Sequence, residues 1–282
     1  MNLATLDTPI NEITGFQADR YVINNHLANL LSIGESAANG TVQEAMRYAV
    51  LGPAQRIRPI LALRVARLLR SEDESVLRAA ASVELLHCAS LVIDDLPCMD
   101  NSHLRRNQPA VHIRFGEAIA ILAAFGLVAL AARSLVECQA DEDPPLALLD
   151  FQIRLLRSMD CSGLIAGQAL DLHFANQSHL RTRRNVTELK TVPLFNLAVS
   201  AGSLSATVNA NERALLECFC REFGLAFQMI DDLLDGDDIE IACLWEKLSI
   251  MRAAAAAFGS RRHNLEELVD YLNARVPAAY RQ

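Results

Sequence analysis

Aromatic residues are scarce in this 282-residue chain, at 5%, so stacking platforms for nucleic-acid bases are not expected. Positive charge is short as well. Lys and Arg number 26 against 34 Asp and Glu, and the net charge of −8 argues against nucleic acid as a partner. Glycine (12) and proline (9) are few, which disfavours a turn-rich β fold and favours helices. No internal repeat, low-complexity tract or Pro/Gly/Ser-rich linker divides the chain. The seven cysteines are odd in number and form no CxxC pair, so neither a disulfide framework nor a zinc site is indicated. Most of them, Cys218 and Cys220 included, read as small core residues. That usage fits a reducing compartment. The first residues lack the basic-then-apolar pattern of a signal peptide, so a cytoplasmic location is expected. The longest apolar run, Ala118 to Ala132, falls short of the ~20 residues that cross a bilayer and reads as a core helix.

What is present is apolar and helical. Hydrophobic residues make up 51% and charged residues 21%, enough to bury a large core. Helical periodicity predicts helices over 17–33, 41–50, 56–70, 74–94, 114–138, 145–160, 162–175, 185–206, 211–234, 244–258 and 263–274. Thr41 and Asn211 stand where N-caps are expected, with Glu44 completing a capping box. Period-2 alternation is nowhere sustained. The simplest reading is one all-α domain spanning residues 1–282.

Two acidic clusters break the core pattern. The apolar segment Val83–Ile93 ends in Asp94-Asp95-Leu96-Pro97-Cys98-Met99-Asp100. Pro97 stops the helix, so three carboxylates gather at a C-terminus where the helix dipole disfavours them. A hard cation is the obvious compensation. Arg105-Arg106 follows, a pair suited to bidentate phosphate contact. A second apolar helix, Phe223–Ile230, delivers Asp231-Asp232-Leu233-Leu234-Asp235, in which Asp231 and Asp235 share a face. Either cluster alone could be a solvated helix end. Together with the arginines they point to a phosphate-rich substrate clamped through Mg²⁺.

These residues fall into an ordered set of motifs. Glu84-Leu85-Leu86-His87 leads to Asp94-Asp95 through Asp100 and then Leu104-Arg105-Arg106. Gly167-Gln168 is followed by Asp171-Leu172, then by Lys190-Thr191, and finally by Phe223-Gly224, Phe227-Gln228, Asp231-Asp232 and Asp235. In this order the chain resembles trans-isoprenyl diphosphate synthases, particularly geranylgeranyl diphosphate synthases, from about Gly52 to Asp235. The resemblance implies a many-helix bundle around a deep central cavity, a homodimer, and Mg²⁺-dependent prenyl transfer. Isopentenyl diphosphate would be condensed with the allylic dimethylallyl, geranyl or farnesyl diphosphates. It also implies roles. Asp94, Asp100 and Asp231 would bind metal, with Asp235 acting through water. Arg105, Lys190, Thr191 and Gln228 would hold the allylic diphosphate. Arg58, His87 and Arg106 would hold isopentenyl diphosphate. Each has a bland reading in isolation: Lys190 a solvated helix lysine, His87 a core histidine, Arg56 and Arg58 a surface face.

The chain departs from the family in three places. Gln55 stands where the family has a lysine for isopentenyl diphosphate, in Pro53-Ala54-Gln55-Arg56-Ile57-Arg58-Pro59. Val192 replaces the glycine of the family's KTG element. The segment after Asp235 is short and acidic, and Lys247-Leu248-Ser249 is the candidate for the family's closing KxT element. Ala89 and Ser90, five and four residues before Asp94, are small where in the family bulky aromatics would stop growth at farnesyl, so geranylgeranyl diphosphate is the expected product. The alternatives are a farnesyl or longer-chain synthase, and a weakly active or inactive regulatory subunit. A terpene cyclase would not be expected to keep the Arg58, His87 and Arg106 set.

Overall fold

The computed structural model of the chain describes residues 15–32, 40–136, 146–174, 180–237 and 239–281. Its α-helices are α1 (Phe16–Leu30), α2 (Gly40–Leu51), α3 (Ile57–Leu69), α4 (Glu74–Asp94), α5 (Val111–Phe115), α6 (Glu117–Val136), α7 (Leu146–Met159), α8 (Leu164–Phe174), α9 (Leu180–Gly202), α10 (Ala210–Asp235), α11 (Ile241–Ala256) and α12 (His263–Arg275). A two-stranded hairpin, β1 (Leu104–Arg105) and β2 (Gln108–Pro109), interrupts them between α4 and α5. The all-α expectation holds, and one hydrophobic cluster runs through the bundle.

α4 is the axis. It packs against α6, α3, α9, α2 and α1, which is why its sequence is apolar on nearly every side. Residues Ala79 to Leu86 are all buried, and Asp73 caps the helix by accepting the Val76 amide at 2.9 Å. α6 turns Ala120, Ala123, Ala124, Leu127 and Ala131 inward, and leaves Ile121, Leu122 and Phe125 exposed. At 21 and 20 residues, α4 and α6 are both long and apolar enough to cross a membrane, longer than the apolar run alone indicated. α4 is instead mostly buried within the bundle.

Several local expectations are corrected. The helix expected over 114–138 is split at Gly116, whose φ of 84° ends α5 before α6 begins. Asn209, not Asn211, caps α10 by accepting the Glu212 amide at 2.9 Å. Thr41 lies inside the first turn of α2. Cys218 is exposed, while Cys88 and Cys220 are buried, and all six described cysteines are free thiols. Cys138 lies outside the described residues.

Two devices fix the helices that carry charge. Buried Asp19 of α1 accepts from Arg64 Nε at 2.8 Å and from Arg67, and Arg64 Nη1 reaches Glu267 of α12 at 2.6 Å. α1, α3 and α12 are thereby tied by a largely buried network, in which removing one partner leaves the others uncompensated. α9 lies so close to α3 that a Cβ on Gly202 would fall 2.3 Å from the Ala62 carbonyl oxygen. Gly202→Ala is therefore expected to destabilise the fold by about 1–3 kcal/mol through overpacking. Urea unfolding of the variant and the parent checks this; equal midpoints would contradict the close packing.

Candidate functional site

The C-terminal end of α4 continues directly into a tight loop. The Asp100 amide donates to the Asp94 carbonyl at 2.9 Å, and the Asn101 amide to Leu96 at 3.0 Å, which brings Asp94 and Asp100 onto one turn. The adjacent carboxylates have different fates. Asp95 is buried and is gripped by Arg105, whose Nε lies 3.0 and 3.2 Å from its two oxygens and whose Nη2 adds a further contact. Asp94 has no such partner among the described residues. Burial pushes its carboxyl up to about 6, Asp100 and Asp95 add to the shift, and Lys190 and Arg105 oppose it. Arg105, expected at the allylic diphosphate, commits Nε and Nη2 to Asp95 and retains Nη1 for an outside ligand.

The second cluster lies in the last turns of α10. Gln228 donates from Nε2 to Asp232 Oδ1 at 2.8 Å, and its Oε1 faces Thr191 Oγ1 of α9 at 3.4 Å. Asp231 accepts from Arg275 Nη2 of α12 at 2.5 Å. Burial raises the Asp231 carboxyl, with Arg275 pulling it back down. Asp235 is exposed, as is Asp100. Lys190, on the turn of α9 that bears Thr191, donates to Asp171 of α8 at 2.7 Å; it is half-buried and paired rather than freely solvated.

A cationic wall stands beside these carboxylates. In the two-residue loop between β1 and β2, Arg106 and Asn107 both have positive φ, 53° and 62°, as a type I′ hairpin turn requires. The turn presents Arg106 to Arg58 and His87. Arg58 Nη1 lies 3.1 Å from His87 Nε2, and the guanidinium rests on the Phe195 ring at 4.7 Å. Burial lowers the Arg58 guanidinium to about 10, despite Glu84 and Asp231 nearby. Burial also holds His87 well below its ordinary value, and Arg58, Arg106, Arg105 and Arg56 push it the same way. Four arginines thus disfavour a proton on His87, a setting that favours a bound anion. A shallow pocket opens beside it, lined in part by Tyr48, Gly52, Cys88, Leu91 and Arg106.

Two basic residues do other work. Arg56 and Arg58 do not form a surface face, since both are buried. Arg56 is bound to Glu84 at 2.7 Å, to Asn24 at 2.9 Å and to the Val50 carbonyl. Lys247, the candidate closing lysine, is buried on α11 and donates to Glu222 of α10 at 2.8 Å, so it staples two helices instead. Gln55 accepts from the Tyr271 hydroxyl at 2.9 Å. Tyr271 and Arg275 were not legible as site residues. They sit in an ordinary amphipathic helix, and only the tertiary fold brings that helix to Gln55 and Asp231.

The donor set fits magnesium. It is all oxygen and hard, and Asp94 is left short of positive charge. Among the described residues no group of three carboxyl, imidazole or thiol groups forms a cage on its own. That suits Mg²⁺, which takes one or two carboxylates and fills its shell with water and substrate phosphate. His87 provides a direct check on the anion site. Its imidazole is expected to titrate well below 6.5 in the free protein, and inorganic pyrophosphate should raise that value by offsetting the arginines. Because the folded value is depressed, its contribution to stability is present above 6.5 and lost as pH falls below it. An NMR titration of His87 that pyrophosphate leaves unmoved would contradict the assignment.

Comparison with known proteins gives a consistent result. The family model for polyprenyl synthetase matches residues 39–238. A geranylgeranyl diphosphate synthase of Pseudescherichia vulneris is 38% identical over 219 residues, covering 77% of this chain and 70% of that protein. The mitochondrial geranylgeranyl pyrophosphate synthase 10 of Arabidopsis thaliana is 37% identical over 199 residues, 69% of this chain; the match spans 57% of the relative's length. Among solved structures, a geranyltransferase of Legionella pneumophila superposes with a TM-score of 0.83 at 30% identity, covering 91% of this chain and 94% of its own. An FPP/GFPP synthase of Zymomonas mobilis superposes with a TM-score of 0.81 at 31% identity, covering 95% and 98%. With its two aspartate clusters, its arginine wall and this fold, the chain belongs to the polyprenyl synthetase family.

Proposed function

We propose that the protein is a Mg²⁺-dependent prenyltransferase that condenses isopentenyl diphosphate with allylic diphosphates to give geranylgeranyl diphosphate. The observation that carries this reading is the juxtaposition of two carboxylates raised by burial, Asp94 and Asp231, with two arginines, Arg58 and Arg106, beside a neutral His87. Asp94, Asp100 and Asp231 would hold the metal, which supplies Lewis acidity to the leaving diphosphate. Lys190, Thr191, Gln228 and the free Nη1 of Arg105 would orient the allylic diphosphate. Arg58, His87 and Arg106 would bind isopentenyl diphosphate, with His87 neutral and accepting at Nε2 from Arg58 Nη1. The apolar walls of α4 and α9 exclude water from the carbon centres, which the developing allylic positive charge requires.

Product length follows from α4. Ala89 lies five residues before Asp94, and Ser90 folds its hydroxyl back onto the His87 carbonyl at 2.9 Å, so neither is the bulky side chain that would stop growth early. Ala89→Phe should shift the product from geranylgeranyl to farnesyl diphosphate, read by chain-length analysis of dephosphorylated products. An unchanged product would place the chain's growing end elsewhere. The paired substitution Asp94→Ala, Asp231→Ala should abolish all product, at least a 10³-fold loss, the scale of removing electrostatic stabilisation of the leaving group. A parent protein that makes no product from any allylic substrate would favour the regulatory-subunit reading, which the occupation of Gln55 by Tyr271 supports.

A homodimer is part of the same proposal. α6 is apolar on the face it exposes, with Phe125 68% and Leu122 52% exposed, and a second copy is the occupant that family membership favours. Phe125→Asp should convert a dimer to a monomer in sedimentation; a monomeric parent would overturn this part. The free thiols among the described cysteines suit a reducing cytoplasm.

A further inference from the structure

The last helix ends in the site. α12 places Tyr271 and Arg275 four residues apart, on one face, against Phe227 and Asp231, which have the same spacing on α10. Arg275 is 8% exposed, yet its Nη2 reaches Asp231 Oδ1 at 2.5 Å. Its guanidinium lies 4.7 Å from the Phe227 ring centroid and 5.9 Å from that of Tyr271. One more turn back, the Tyr271 hydroxyl donates to Gln55 at 2.9 Å while its ring stacks on Phe16 at 5.1 Å. Arg275 Nη1 is buried and has no hydrogen-bond acceptor among the described residues. An arginine with one nitrogen on a carboxylate and another unsatisfied is incompletely matched to its surroundings. A second anion would complete it.

Asp231 is the carboxylate that the proposed function assigns to metal, so the inference rests on that reading. We propose that Arg275 is an exchangeable counter-ion. It holds Asp231 in the metal-free protein, competes with a divalent cation for the same carboxylate oxygen, and leaves it on loading, so that the position of the C-terminal helix reports the state of the site. Arg275 is a positioning residue in this account and does not act on the reacting carbons. The chain's own sequence gives the exchange a use. Lys190 and Lys247 are its two lysines, both already paired, and Gln55 is neutral. A guanidinium released beside Tyr271, whose hydroxyl holds Gln55, adds a cation to this wall. The rings of Phe227 and Tyr271 keep it close after release.

Manganese can serve as the probe, titrated into full-length protein without substrate and followed by calorimetry and electron paramagnetic resonance. Arg275→Gln should bind Mn²⁺ about tenfold more tightly than the parent, the scale of one charge-assisted hydrogen bond removed from competition. Arg275→Lys, which retains charge but not the planar fork, should fall between them. Hydrogen exchange over 271–276 should accelerate when Mn²⁺ binds the parent and stay unchanged in Arg275→Gln. Asp231→Asn separates the two claims. If it leaves Mn²⁺ affinity unaltered, Asp231 is not a ligand and the underlying reading fails. If it weakens binding while Arg275→Gln matches the parent, the metal reading stands and the exchange is overturned. Unaltered hydrogen exchange in the parent on loading would also overturn it.

Discussion

Like charge held at the ends of buried helices is the constraint on which the rest of the structure turns. α4 can enter the middle of the bundle because almost every residue from Val76 to Ala89 is apolar or small. The same burial makes its C-terminal end a poor place for Asp94, where helix dipole, desolvation and Asp100 all oppose a negative charge. α10 repeats the arrangement at Asp231 and Asp232. A fold with more stability to gain would exchange these carboxylates for apolar residues or partner them fully, as Arg105 partners Asp95. Under the proposed function, bound metal would supply the counter-charge they lack.

The cationic wall has the converse problem. Arg58 and His87 sit together in a buried setting that depresses both. The fold assembles this wall from three separate pieces: the start of α3, the middle of α4 and the two-residue turn of a hairpin. Arg56 anchors the first piece by a left-handed backbone at φ 57° and a buried bond to Glu84. The Asp19–Arg64–Glu267 network ties α3 to α12, and with it the helix that brings Tyr271 and Arg275 to the site. Positive and negative walls are therefore positioned by the same few helices.

Much of this was legible in the sequence because the anomalies were local. Carboxylates at the end of an apolar helix can be read from spacing, and so can Pro97 and the Arg105-Arg106 pair. The helices were legible because burial imposes periodicity on them. What could not be read depends on distant contacts. Asp94 and Asp95 are equivalent in sequence, and only the hairpin's return of Arg105 separates them. Lys247 looked like a closing lysine by order along the chain, but α11 turns it onto Glu222. Gly116 and the Arg106-Asn107 turn needed left-handed backbone, a signal too short for periodicity to register. Arg275 is an unremarkable last-turn arginine until α12 is packed against α10.

The central claim is that the two walls are complementary to a metal–diphosphate pair and to neither component alone. Thermal unfolding tests it directly, with Mg²⁺, inorganic pyrophosphate, and both together. Binding to the folded state raises Tm by mass action, so coupling appears as a shift for the pair that exceeds the sum of the separate shifts. The account predicts small shifts for each component and a larger, synergistic one for the pair, lost in Asp94→Ala, Asp231→Ala. Additive shifts, or a full shift from pyrophosphate without metal, would contradict it.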